Sequence, residues 1–293
     1  MTGTYDEEPA DPVGIGGLSV VEGASRIRLD LAYDGTDFSG WARQPGRRTV
    51  EQLLAEALAQ VCRLPDLPVL VVAGRTDAGV HAGGQVAHAD LPSTIETDRL
   101  AARLTGVLPA DVIVRSVSVA PAGFDARFSA TGRTYRYRVT DAVPDPLRRR
   151  DTLAWRRPLD EAAMHEAAQG LVGEHDFAAY CRRREGATTI RTLKRLQATR
   201  EDVVVITAEA DAFCHNQVRS MVGALLAVGD GRRDVGWPAQ VLRAGVRDSG
   251  VTVAPPHGLT LVRVDYPPDE QLAQRAQLTR AVRVVRAPGT ELG

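Results

Sequence analysis

The chain has 293 residues, 44% apolar and 25% charged, enough for a sizeable buried core in one large or two modest globular domains. No apolar run reaches the roughly 18 residues of a membrane span. The acidic start MTGTYDEEPADPVG lacks the basic and apolar regions of a secretory signal, and Cys62, Cys181 and Cys214 are too few and too scattered for a disulfide framework or a zinc site, so free thiols in the cytoplasm are expected. Lys+Arg 36 nearly cancels Asp+Glu 37, yet residues 26–266 carry a net +3. Lys194 is the only lysine, and arginines cluster at Arg47–Arg48, Arg148–Arg150, Arg156–Arg157, Arg182–Arg184 and Arg232–Arg233. Guanidinium forks suit phosphates, although solvated faces of an arginine-rich chain are the plainer reading of composition alone.

Residues 1–25 mix Gly, Pro and acids without periodicity and predict a disordered acidic tail. Order is expected from Arg26, where Ile27, Leu29 and Leu31 alternate with polar or small residues as a half-buried strand that Asp34-Gly35 ends. Thr49 with Gln52 reads as a capping box opening a helix, with Val50, Leu53, Leu54, Ala57, Leu58 and Val61 as its apolar stripe. Strands at 69–73 and 84–91, a polar helix at 97–105 and a strand at 112–119 complete a β-α-β-β-α-β first half. The second half opens on a strand over 133–140 and a basic connection. A helix at 161–171, paired strands at 193–199 and 203–208, an apolar helix at 215–228, a short helix after Pro238 and a strand at 259–264 follow. The units are therefore a tail (1–25), two α+β halves (26–120 and 121–266) and a C-terminal extension (267–293). Two halves of similar order suggest a pseudo-duplicated sheet with helices on one face and a cleft between the halves.

Three segments could carry chemistry. In GRTDAGVHAG (74–83), glycines bracket a turn that presents one carboxylate, Asp77. A plain turn in which Asp77 bonds its own backbone explains the spacing equally well. It has no second acid for a glycosidase pair and no phosphate-loop pattern. His81 and His88 lie seven apart, which fits no common metal spacing. No G-x-S-x-G elbow supports serine hydrolysis, and Cys214-His215, read as helical neighbours, would point to different faces. In RTYRYR (133–138), a strand would place Arg133, Tyr135 and Tyr137 on one face, suited to a nucleobase and phosphates or simply to a core. In FCHNQVR (213–219), Arg219 sits one step off an apolar helical stripe and invites a carboxylate partner, unless it snorkels to solvent.

Taken with YDGTDFSGW (33–41), TVEQLLAEAL (49–58), FDARFSATGRTYRY (124–137), GEHDF (173–177) and APPHGL (254–259), these segments resemble, in order, the tRNA pseudouridine synthase A family over about residues 26–266. Ala42, Glu51 and Gln217 depart from the family pattern at neighbouring positions. The resemblance implies a mixed, mainly antiparallel sheet with a central basic cleft. It implies isomerisation of uridine in the anticodon stem-loop of tRNA, and a homodimer with RNA across both subunits. No cofactor and no metal are implied, because the reaction neither changes redox state nor loses an atom. Asp77 matches the nucleophile, which must be ionised, and Arg219 the guanidinium that favours its charge. Tyr135 matches the tyrosine that packs on the uracil and helps remove its C5 proton. Arg75, Thr76, His81, Arg127, Arg133 and Asn216 are expected at the RNA. A catalytically silent RNA-binding or chaperone module on the same fold is the rival reading, and a nucleosidase releasing uracil a weaker one.

Overall fold

The computed structural model describes residues 23–182 and 188–280. The acidic tail up to residue 22, Arg183 and Arg184 of one arginine cluster, and residues 281–293 lie outside the described residues. The first half runs β1 (Ala24–Tyr33), α1 (Val50–Cys62), β2 (Val71–Val72), β3 (His81–Pro92), α2 (Leu100–Thr105) and β4 (Val112–Val119). The second runs β5 (Gly132–Thr140), β6 (Leu153–Ala154), α3 (Glu161–Gln169), β7 (Gly173–Asp176), β8 (Ile190–Arg200), β9 (Val204–Ala210), α4 (Gln217–Gly229), α5 (Trp237–Ala244), β10 (Leu259–Asp265) and α6 (Leu272–Arg280).

All ten strands join one mixed, mostly antiparallel sheet in the order β4-β1-β3-β10-β5-β9-β8-β7, with β2 on β3 and β6 on β5. The last strand, β10, is threaded between the halves: it pairs parallel with β3 only at Thr260↔His81 and Leu261↔Ala82, and antiparallel along β5. This junction brings the two halves together where β3 begins, directly after the 74–80 segment.

The core follows the predicted periodicities. Ile27, Leu29 and Leu31 of β1 and Val50, Leu54, Leu58 and Val61 of α1 are buried together. Strand β1 starts two residues before Arg26, because Ala24 and Ser25 already pair with Pro92 and Leu91. The capping box at Thr49 does not form: Thr49 makes no side-chain cap bond. The N–H groups of Val50 and Glu51 donate instead to the carbonyls of Gly40 (3.2 Å) and Trp41 (3.0 Å). A packed backbone segment thus supplies what a cap would have supplied.

Helix α4 starts at Gln217 rather than 215, after Asn216 takes the left-handed conformation (φ 65°). It is buried nearly all round because residues 252–254 cross it; a Cβ on Gly223 would lie 1.9 Å from the Thr252 carbonyl oxygen. Part of the C-terminal extension is folded: α6 buries Leu272 and Ala276, and Arg280 pairs with the buried Asp125 at 2.8 Å. The thiols of Cys181 and Cys214 lie against each other, with their Cα atoms 5.8 Å apart, a spacing within disulfide reach. Cys62 stands apart from that pair.

Candidate active site

The 74–80 turn between β2 and β3 is shaped by segments far away in the chain. The Trp41 N–H donates to the Thr76 carbonyl (3.0 Å) and the Gly79 N–H to the Phe38 carbonyl (3.2 Å). Gln85 Nε2 donates to the Gly74 carbonyl (2.9 Å), and the Thr76 hydroxyl bonds the buried Tyr33 hydroxyl (2.7 Å). Gly79 adopts φ 75°, and a Cβ there would lie 2.9 Å from Cγ of Pro256. The YDGTDFSGW and APPHGL segments are therefore the two walls that set the turn's shape. With its backbone held from both sides, Asp77 projects its carboxylate outward, 30% exposed.

Two groups from one short segment face that carboxylate. Arg219, in the first turn of α4, places Nη1 3.3 Å from Oδ2 and spends Nε on the Ala254 carbonyl at 2.7 Å. His215, just ahead of α4, places Nε2 3.5 Å from Oδ1. Phe213, from the same segment, meets the Tyr135 ring edge-to-face at 5.3 Å. Tyr135 arrives from the centre of the sheet on β5 and is buried. Burial first, then the charges of Tyr33 and Asp77, push its phenol well above the ordinary tyrosine range, so it remains neutral at physiological pH. Asp77, Arg219 and Tyr135, distant in sequence, are thus brought together.

The other candidate positions divide. Arg75 and Arg127 are exposed, the latter with its guanidinium over the Phe128 ring at 5.2 Å. Asn216 is half-buried, and its left-handed backbone turns the chain between His215 and α4. Three residues expected at the RNA are buried and make interior hydrogen bonds. Arg133 is buried, and its guanidinium donates to the carbonyls of Ala73, Asp211 and Arg127 at 2.7, 2.6 and 2.7 Å, while burial lowers its pKa. His81 is buried, with Nδ1 accepting from the Gly35 N–H (3.0 Å) and Nε2 facing the carbonyls of Arg150 (2.7 Å) and His257 (3.0 Å). The Thr76 hydroxyl is committed to Tyr33. Each was read as a ligand-facing polar group, and each instead satisfies backbone or side-chain groups in the interior.

His215 is the neighbour of Asp77 that the sequence reading passed over. No helical spacing could have found it, because His215 precedes α4 and the left-handed Asn216 separates the two. His81 and His88 meet separate partners, His81 the Gly35 N–H and His88 the Ala126 N–H. Among the described residues, no group of three or more His, Cys, Asp or Glu could hold a metal ion, and no helix is long and apolar enough to cross a membrane.

The mixed, mostly antiparallel sheet is that of a class of isomerases, the tRNA pseudouridine synthases, whose family model matches residues 167–267. Full-length relatives narrow the class. A tRNA pseudouridine synthase A of Frankia casuarinae is 62% identical over 273 residues, covering 92% of this chain and 99% of the relative. One of Streptomyces avermitilis is 58% identical over 279 residues, 92% of this chain and 98% of the relative. One of Mycobacterium leprae is 52% identical over 276 residues, 88% of this chain and 95% of the relative. The chain belongs to the tRNA pseudouridine synthase A family.

Proposed function

We propose that the protein isomerises uridine to pseudouridine in the anticodon stem-loop of tRNA, with Asp77 as the group that initiates the reaction. The N1–C1′ bond breaks, the uracil turns, C5 bonds to C1′, a proton leaves C5 and N1 gains one. Nothing is oxidised or reduced, so the chain's own side chains suffice. The observation that carries the reading is the Asp77 carboxylate, partly exposed and held by Arg219 at 3.3 Å. Arg219 is itself locked on a backbone carbonyl, so the carboxylate faces a preorganised cation that needs no rearrangement. Tyr135, neutral and buried against Phe213, is the aromatic ring on which a flipped uracil would pack once the site opens to it. As a neutral phenol it suits packing and hydrogen-bond donation better than proton abstraction. Arg75 and Arg127, both exposed, are candidates to hold the displaced strand, and a basic cleft across two copies of the chain in the cytoplasm would supply the remaining phosphate contacts.

The test is tritium release from tRNA transcript labelled at C5 of uridine. Wild-type protein releases tritium, and Asp77→Asn reduces release to background while leaving tRNA affinity unchanged. Near-normal turnover by Asp77→Asn ends the assignment. Free uracil among the products would instead mark a nucleosidase, and tight tRNA binding with neither product a silent binding module. Mapping pseudouridine in tRNA from a deletion strain and its complement identifies the uridines modified.

A further inference from the structure

Arg219 reaches only one oxygen of the Asp77 carboxylate, Oδ2. A carboxylate held at one oxygen can still turn about its Cβ–Cγ bond, and attack requires an oxygen aimed to within a small angle. The second oxygen, Oδ1, faces Nε2 of His215 at 3.5 Å. Both groups belong to residues 213–219, whose geometry is fixed from several directions. The His215 carbonyl accepts from the Arg182 N–H (3.0 Å), and the Cys214 N–H donates to Oε1 of the fully buried Gln217 (3.0 Å). Cys214 packs beside Cys181. Asn216 reverses the chain with φ 65°, so His215 stands outside the helix yet on the side where Arg219 emerges. Asparagine is one of the few residues that enter this backbone region readily.

We propose that His215 is a second positioning residue for Asp77: its Nε2 fixes Oδ1 while Arg219 fixes Oδ2, so the carboxylate plane is set by two donors from one rigid turn. This rests on the reading of Asp77 given above. Each carboxylate oxygen has a second lone pair, so the two contacts orient the group without consuming it. Catalytic contacts of this length commonly tighten when substrate closes a site. The proposal assigns Gln217 and Asn216 supporting roles as the residues that shape the turn.

Three variants test it: His215→Leu removes the donor at similar volume, His215→Gln restores an N–H near the Nε2 position, and Asp77→Asn is the control. Tritium release is measured in single turnover at saturating transcript, together with tRNA affinity and melting temperature. His215→Leu is expected to lower the single-turnover rate by roughly 10- to 100-fold, the cost of a small misalignment. Affinity and melting temperature should stay near wild type, and His215→Gln should recover most of the rate. A wild-type rate in His215→Leu, an equal loss in both variants, or a loss confined to affinity overturns the proposal while leaving Asp77 in place. An active Asp77→Asn overturns the reading of Asp77, and the role of His215 with it.

Discussion

At the scale of single residues, what a polar group does here is decided by what it meets inside. Arg219, Arg133 and Arg26 are all largely buried cations, yet one faces a carboxylate and a carbonyl, one meets three carbonyls, and one meets Asp90 (2.7 Å) and the Phe124 carbonyl. His88 shows the consequence for stability. It is buried on β3, its Nδ1 accepts from the Ala126 N–H at 3.0 Å, and burial together with the charge of Arg26 lowers its pKa to about 4. The folded-state value lies below the ordinary histidine value, so on acidification the unfolded chain takes up a proton that the native protein refuses. Stability is fully present above about pH 6.5 and is lost as pH falls towards 4, at about 1.4 kcal/mol per pH unit in the middle of that window. His88→Asn keeps an acceptor for Ala126 and cannot titrate. The fall in melting temperature between pH 7 and pH 5 should therefore be shallower in the variant. Equal slopes in the two proteins would mean that His88 is not buried neutral.

At the scale of elements, the candidate site is made by segments without regular structure that regular elements hold in place. The 74–80 turn owes its shape to the 33–41 segment on one side and to the single turn Pro256–Gly258 on the other, and that turn is seated because the Tyr137 hydroxyl donates to the Pro255 carbonyl at 3.0 Å. Gly79 meets both walls, its N–H donating to the Phe38 carbonyl and its α-carbon lying close against Pro256. Gly79→Ala forces a side chain into a left-handed backbone position and against Pro256. The expected result is a loss of about 1–3 kcal/mol in stability. Activity should fall further than stability explains, because the strain is relieved by moving Asp77. The check is tritium release at a temperature where circular dichroism shows the variant fully folded. A folded variant with wild-type turnover would show that the turn can relax without displacing the carboxylate. Helix α1 makes the same point without chemistry: its first amide groups are satisfied by the Gly40 and Trp41 carbonyls, so the helix end and the wall of the site are one structure.

At the scale of the molecule, arginines divide between interior braces and surface charge. Arg133 joins three segments from both halves of the chain, whereas Arg148 and Arg149 stand exposed on the connection after β5. That connection is anchored beside the candidate site, since the Arg150 carbonyl lies 2.7 Å from His81 Nε2 and its guanidinium 3.1 Å from Asp34. Arg148 already pairs with Asp151, but so exposed a pair contributes little and remains available to phosphate. Replacing Arg148 and Arg149 with serine should weaken tRNA binding uniformly and reduce the salt dependence of the binding constant by roughly 1–2 in slope, with melting temperature unchanged. Arg133→Met should do the reverse: it strands three buried carbonyls, each costing about 1–3 kcal/mol, and leaves the salt slope of any folded protein intact. Titrating affinity against salt for both variants separates the roles. A salt slope that drops in Arg133→Met would return that residue to the RNA surface.

Much of the architecture was legible in the chain because local periodicity reports burial directly. Alternation over 27–31 and 133–139 gave strands, the 3.6-residue stripe from Val50 to Val61 gave α1, and the strand at 112–119 has the observed bounds. The turn at Asp77 was legible too, since its glycines and single carboxylate lie within one short segment. Strands β6 and β7 were not, being two and four residues long with little pattern to read, and neither was the helix inside the C-terminal extension, whose weakly amphipathic sequence is settled by packing on the 121–129 segment. The Arg219–Asp77 pair, expected from the family resemblance, closes across 142 positions. Tertiary structure alone decided the other polar partners: His215 joins that pair only because Asn216 turns the chain, Thr49 loses its cap to carbonyls from 40–41, and Arg133 and His81 turn inward. Burying an apolar side chain depends on its own surface, which repeats visibly along the sequence. Burying a charged or hydrogen-bonding one depends on partners that folding brings from elsewhere, and no local pattern records them.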